Sequence, residues 1–487
     1  MLLIYTITLL ANGADGGRLM LINGEWRAGK EYFDVKNPYD GSFLDRVPLS
    51  SKKDVEDAIL SAKNAFTVMS EMPAHRRATI LSNTSKIIES TKREISELIT
   101  RESGKAIKYS LAEVERSIQT FQFAAEEAKQ IHGETIPMDA SPNSEKRFAF
   151  YQPFPIGIIG AITPFNFPLN LVAHKVAPAI ASGNSVVLKP ASYTPLTSIK
   201  LGDIMMEAGL PNGALNIIFG GGSTVGEWIV ESHDLAMISF TGSPSVGRRI
   251  KEKAGMKRVA LELGSNSATI IEHDADIDMA IPRCIMGAFS NAGQVCISLQ
   301  RIYVHEKLFA EFKEKFIKAV KKIKVGNPME PDTEYGPMIE EKEAVRAEEW
   351  IIEAVNKGAK ILYGGERKGN IITPTVMTDV KRDMKVVCNE VFAPLVTLIK
   401  YKDFEDAIDM VNDSIYGLQA GIFTKDIDKA FRGFKKLHVG GVIINDVPTF
   451  RVDHMPYGGV KESGTGREGL KFAIKEMTEL KLMVFNL

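Results

Sequence analysis

Chemistry in this chain is most readily placed at Phe289-Ser290-Asn291-Ala292-Gly293-Gln294-Val295-Cys296, where one of only three cysteines follows a Gly-Gln turn. A cysteine at a change of backbone direction can present its sulfur to a cleft with amide N–H groups behind it. A thiolate nucleophile needs that support, because an unassisted thiol is mostly protonated at neutral pH. Read alone, Cys296 could equally be a small packed core residue, the commoner fate of a free cysteine.

Two other groups have matching character. Glu262 closes the apolar run Val259-Ala260-Leu261-Glu262-Leu263, where a carboxylate resists ionisation and its pKa climbs toward that of a useful base. The plain alternative is an edge-strand Glu facing water. Asn166 sits in Thr163-Pro164-Phe165-Asn166-Phe167-Pro168, either as a rigid amide donor held between prolines or as an ordinary turn residue. Anion binding has its own candidates. Phe240-Thr241-Gly242-Ser243-Pro244-Ser245-Val246-Gly247 leads from a strand into a helix predicted over 248–254, whose free N–H groups can meet a phosphate. Gly220-Gly221-Gly222-Ser223-Thr224-Val225-Gly226 opens the helix before it, and its glycines permit close backbone approach.

Positioning these groups takes a regular frame. Apolar residues at helix spacing predict helices over 51–70, 78–103 and 110–132. Beyond residue 151 short apolar runs alternate with helical stretches: 156–162, 185–190, 215–219, 236–240 and 259–263 read as buried strands. Strand–helix–strand repetition implies a parallel, doubly wound sheet, and its recurrence over about 270–448 implies a second. The tail 477–487 reads as a lone strand that pairs with a distant segment or another subunit. Residues 1–19 are apolar, lack a basic leader and are too short to span a membrane, and they read as a poorly ordered extension.

The motif set, in this order, resembles the aldehyde dehydrogenase family over about residues 20–487, most closely its lactaldehyde and glyceraldehyde branch at Thr449-Phe450-Arg451-Val452-Asp453-His454-Met455-Pro456. The resemblance implies an α/β fold of two doubly wound domains, a Rossmann-like cofactor domain (20–132 and 152–264) and a catalytic domain (265–448). A small β oligomerisation arm (133–151 and 477–487) and an active-site segment (449–476) complete it. By the same resemblance Cys296 attacks the aldehyde, Asn166 and the Cys296 amide form the oxyanion hole, and Glu262 activates the hydrolytic water. The dinucleotide contacts Ile162, Thr163, Pro164, Phe165, Gly222, Gly226, Phe240, Gly242, Ser243, Val246 and Leu263. Lys189 meets its adenosine ribose, while Glu390 and Phe392 meet the nicotinamide end. Ser192 stands where a Glu is common, which points to NADP ahead of NAD, since a hydroxyl can donate to a 2′-phosphate that a carboxylate would repel. Ser265 and Ala393 replace the family's usual glycines.

Arg116, Phe167, His174 and Arg451 fall on substrate-facing positions, and two guanidiniums with an imidazole favour a polar or anionic aldehyde. Lactaldehyde and glyceraldehyde are the leading candidates, with succinate semialdehyde or phosphonoacetaldehyde next. Val295, where an Arg commonly precedes the nucleophile in phosphorylated-triose enzymes, counts against that substrate. An acylating dehydrogenase and a silent dinucleotide-binding scaffold are the rivals, and the retained Cys, Asn and Glu speak against both. Sixty Lys and Arg against 61 Asp and Glu leave no basic excess for nucleic acid. The cysteines at 284, 296 and 388 have neither metal-ligand nor disulfide spacing, so no metal is expected, and a cytoplasmic setting is. A dimer or tetramer is implied by resemblance only.

Overall fold

Apolar runs without polar alternation suit strands covered on both faces, and in the computed structural model, which describes residues 17–487, they build two sheets. Across the first the order is Glu25–Arg27, Met20–Ile22, Leu215–Ile217, Ser185–Lys189, Ile158–Ile162, Leu235–Thr241, Arg258–Glu262, Gly464–Thr465. Its five central strands are parallel, and short antiparallel strands close both edges. The chain winds outward from Ile158–Ile162 on one side, then crosses back to lay Leu235–Thr241 on the other. That reversal opens a crevice beyond the carboxyl ends of these two strands, where doubly wound sheets bind ligands.

The second sheet runs Lys360–Tyr363, Thr375–Thr378, Leu395–Tyr401, Arg301–His305, Ala268–Ile271, Gln419–Phe423, Gly441–Ile444, parallel except at Lys360–Tyr363. The loop carrying Cys296 enters it at the amino end of Arg301–His305, so Cys296 faces the crevice of the first sheet. The tail strand Thr478–Asn486 pairs antiparallel with Arg147–Pro155, which also takes up Glu134–Ile136.

Local chemistry sets several boundaries differently from the sequence reading. The helical stretch 78–103 is two helices, Ala74–Ser90 and Lys92–Ser103. Between them the Thr91 hydroxyl donates back to the Ile87 carbonyl at 2.7 Å. The helix expected over 248–254 is Pro244–Lys253, with Ser243 as its N-cap and proline in the first turn. Helix Asn170–Ser182 is buried along its whole length and carries His174 and Lys175 into the interior. Most of the leading extension lies outside the described residues, but 17–19 are packed. Arg18 pairs with Asp45 at 2.6 Å and its N–H donates to the Arg46 carbonyl, which corrects the expectation of disorder there. Among the described residues no helix is long and apolar enough to cross a membrane.

Candidate active site

The loop before Cys296 is a left-handed turn. Asn291 and Ala292 have φ of 51° and 53°, conformations that cost a side-chain-bearing residue energy, and Gly293 follows at 70°. Gly293 is required twice over, because a Cβ there would collide with the Ala393 carbonyl. Gln294 pins the turn: its amide donates to the Asn291 carbonyl, and its Oε1 accepts from the Ile339 N–H at 3.0 Å. Asn166 locks the same residue, its Nδ2 donating to the Gln294 carbonyl at 2.9 Å. One amide hydrogen on Asn166 is left over, and the Cys296 N–H donates to no acceptor among the described residues. Asn166, Glu262 and Cys296 line one cavity of about 690 Å³.

Glu262 ends its strand with Oε2 buried and unpartnered. Burial, then the negative charge of Glu468, raises its carboxyl well above the usual range. Lys175 and Arg451 bond Glu468, at 3.2 and 2.9 Å, and hold that carboxyl down to about 2 against the push of burial. The pair therefore keeps its proton on Glu262. Burial also pushes the Cys296 thiol up to about 11, with the Tyr457 hydroxyl and Arg451 pulling the other way.

Residues 456–464 reach both groups. Tyr457 Oη lies 3.0 Å from Cys296 Sγ. A Cβ on the next residue, Gly458 (φ 157°), would stand 2.8 Å from both Glu262 Oε1 and the Gly466 carbonyl oxygen, so glycine is what lets that backbone pass between them.

Of the four substrate-facing candidates, three form one charged network around Asp453, a residue the sequence did not single out. Asp453 accepts from Arg116 at 2.6 and 3.1 Å, from Asn170 at 3.0 Å and from His174 at 2.8 Å. Arg451 Nη2 approaches the same His174 nitrogen to 3.0 Å, and its guanidinium stacks 3.7 Å over the Tyr457 ring. His174 and Arg451 are thus enclosed rather than open to a channel, and only Arg116, with 28% of its side chain exposed, has an open face. Phe167 carries the Lys105 ammonium 3.9 Å over its ring, and Glu113 pairs with that ammonium while accepting from the Leu169 and Asn170 N–H groups. None of the four lines the cavity.

The cofactor candidates divide between two spaces. Pro164, Phe165, Gly242, Ser243, Leu263, Glu390 and Phe392 line the same cavity as Cys296. Ile162, Gly222, Gly226, Phe240 and Val246 line an adjoining one of about 190 Å³, whose apolar walls suit a flat base. Thr163, Lys189 and Ser192 line neither. Lys189 Nζ and Ser192 Oγ both donate to the Gly220 carbonyl, at 3.1 and 3.2 Å, beside the glycine run. Burial lowers the Lys189 ammonium to about 8. The Thr163 and Thr241 hydroxyls are buried without partners at the crevice ends of their strands. Unmet donors, glycine backbone and an apolar slot together fit a dinucleotide.

Both departures from the expected glycines are absorbed. Ser265 donates its N–H to Glu390 at 2.9 Å and its hydroxyl pairs with Ser267, while the glycine that must pass Glu390 is Gly264. Ala393 keeps an ordinary φ because Phe392 takes the left-handed conformation, at 52°. Glu272, His273 and His305 gather elsewhere, but the Glu272 carboxylate there is already bonded by His273 and by Lys429 at 2.9 Å.

Comparison with known proteins gives concordant findings. The model described as "Aldehyde dehydrogenase family" matches residues 26–483. The 3-sulfolactaldehyde dehydrogenase of Priestia aryabhattai is 48% identical over 468 residues, 96% of this chain and 98% of that one. Among solved structures, aldehyde dehydrogenase 21 of Physcomitrella patens, in complex with the reaction product succinate, has 45% identity and a TM-score of 0.94, covering 96% of this chain and 98% of that one. Glyceraldehyde-3-phosphate dehydrogenase GapN of Methanocaldococcus jannaschii, complexed with NADP, has 42% identity and a TM-score of 0.91, covering 94% and 100%.

Proposed function

The chain belongs to the aldehyde dehydrogenase family, and from that premise we propose that it oxidises a short aldehyde with an anionic far end, a carboxylate or a sulfonate, using NADP. It is an NAD(P)-dependent aldehyde dehydrogenase with an α/β fold. Cys296 is the nucleophile. Its sulfur adds to the carbonyl carbon, and the developing oxyanion takes the spare Asn166 N–H and the Cys296 N–H, donors of the kind worth about 3–4 kcal/mol each in a dry site. When bound, the nicotinamide accepts the hydride, and the thiohemiacetal on Cys296 becomes a thioester. Glu262, once it has lost its proton, takes one from water so that hydroxide releases the acid. Lys189 and Ser192, bonded here to the Gly220 carbonyl, are the residues that would hold a 2′-phosphate.

Arg116 carries the substrate reading: it is the one guanidinium of the network with an open face, and Asp453 holds it by two parallel bonds. A bidentate pairing fixes the direction in which the remaining N–H groups point. A relative 48% identical is named for a sulfonated lactaldehyde, and a structural neighbour holds a dicarboxylate product. A panel of 3-sulfolactaldehyde, succinate semialdehyde and lactaldehyde tests this. Arg116→Gln should raise KM for the two anionic aldehydes about tenfold or more while sparing lactaldehyde. Equal effects on all three, or a wild-type preference for lactaldehyde, would overturn it.

The arm leaves Leu480, Leu482 and Val484 exposed on one face of a sheet, the kind of apolar face that a dimer or tetramer covers. A reducing, cytoplasmic setting suits three free thiols.

A further inference from the structure

We propose that Tyr457 is a catalytic residue that donates its hydroxyl hydrogen to the Cys296 thiolate, with Arg451 behind its ring strengthening the donor. The inference rests on Cys296 being the nucleophile. Sγ, 3.0 Å away, is the only hydrogen-bond partner of Tyr457 Oη among the described residues.

The contact is held from several sides. The Tyr457 N–H donates to the Glu468 carbonyl at 3.1 Å and the Glu468 N–H returns the bond at 2.7 Å, a two-bond bridge that fixes the backbone. The ring is 2% exposed and packs with Val295 and Ile297, the two neighbours of Cys296 in sequence. The phenol therefore cannot swing away from the sulfur without opening the nucleophile loop.

The two protonation states use the contact unequally. A thiol is a weak donor and would offer its hydrogen to Oη. A thiolate would accept the phenolic hydrogen in a charge-assisted bond, roughly twice as strong as a neutral one. The contact thus favours the anion. The Arg451 guanidinium, 3.7 Å over the ring, draws electron density from the phenol and makes it the better donor. The other titratable groups facing the sulfur are Glu262 and Glu390, which oppose the thiolate when ionised, and Arg451 itself, which favours it.

Tyr457→Phe removes the hydroxyl and keeps the ring under Arg451. The readout is the rate of iodoacetamide alkylation at Cys296, followed by peptide mass spectrometry from pH 7.5 to 10. The expected result is roughly tenfold slower alkylation at each pH below the thiol's midpoint, matching a shift of about one pH unit, with NADP affinity unchanged. A purely structural role would leave that profile in place. An unmoved profile, or faster alkylation from an unshielded sulfur, would overturn the proposal. Aldehyde turnover of Cys296→Ser is assayed in parallel. An inactive Cys296→Ser beside an unmoved Tyr457→Phe profile sinks the role of Tyr457 alone, whereas an active Cys296→Ser sinks the nucleophile reading and this inference with it.

Discussion

The two ends of the cavity solve opposite problems. The proposed dinucleotide end is walled by glycine backbone, apolar side chains and the unpartnered Thr241 hydroxyl, while Thr163, without a partner, and Lys189 and Ser192, bonded only to carbonyls, stand outside the lining. Outside the lining of the proposed aldehyde end lies a largely buried charge network in which Asp453 and Glu468 bond Arg116, His174, Lys175 and Arg451. A large cofactor must enter and leave at each turnover, so its end stays open and under-satisfied. The sulfur, amide and carboxylate must hold still relative to one carbon, so their end is cross-linked by ion pairs. Ordered charge near the reacting atoms costs nothing to reorganise during the reaction.

If that division holds, damage at the reacting end should leave the cofactor end intact. The largest effect belongs to Cys296→Ser, which should cut turnover by about 10³-fold or more while NADP affinity stays within about twofold, the spread expected for a site without shared contacts. Glu262→Gln should release one NADPH per site in a burst and then stall at the thioester. Steady-state turnover at the wild-type rate in either variant, or a matching collapse in NADP binding, would break the separation.

A smaller effect tests whether Asp453 is the cross-link. Its carboxyl is held well below the usual range, since His174 and Arg116 more than reverse the push of burial. Asp453→Ala would leave the Arg116 guanidinium and the buried His174 and Asn170 without their acceptor, a loss of about 3 kcal/mol for a broken buried pair. Denaturant unfolding should register that loss, and KM for an anionic aldehyde should change with it. NADP titration should not. Unchanged unfolding would mean that the network is decorative.

The same division marks what the sequence could disclose. Apolar strands, their parallel order, and the Cys296, Glu262 and Asn166 trio are carried by short stretches whose neighbours in sequence fix their character. The Ser243 cap and the split at Thr91 depend on single hydroxyl bonds, finer than periodicity can resolve. Asp453 and Tyr457 act on residues far away in the chain, Arg116 lying 337 positions from Asp453 and Cys296 lying 161 from Tyr457. Nothing local to Pro456-Tyr457-Gly458-Gly459 reveals that a phenol meets the sulfur while the next glycine passes the carboxylate. The arm is likewise a pairing between 147–155 and 478–486 that no turn connects.

The smallest expected effect sharpens the cofactor end alone. Burial brings Lys189 from an ordinary ammonium value down to about 8, and its hydrogen bonds go to the carbonyls of Pro190 and Gly220 rather than to any carboxylate. Below that pH the free protein carries the charge a 2′-phosphate needs; as the pH rises through it, the charge is lost before the phosphate arrives. NADP affinity should therefore be about fourfold weaker at pH 8.5 than at pH 7, from the fraction still protonated. NAD offers no 2′-phosphate to that ammonium, so its affinity should be nearly flat over the range. Titrations of both dinucleotides by quenching of intrinsic fluorescence would show the divergence, and parallel curves would mean that Lys189 meets only the ribose. Such parallel curves would leave the open design of the cofactor end standing, but would remove the charge proposed to select between the two dinucleotides.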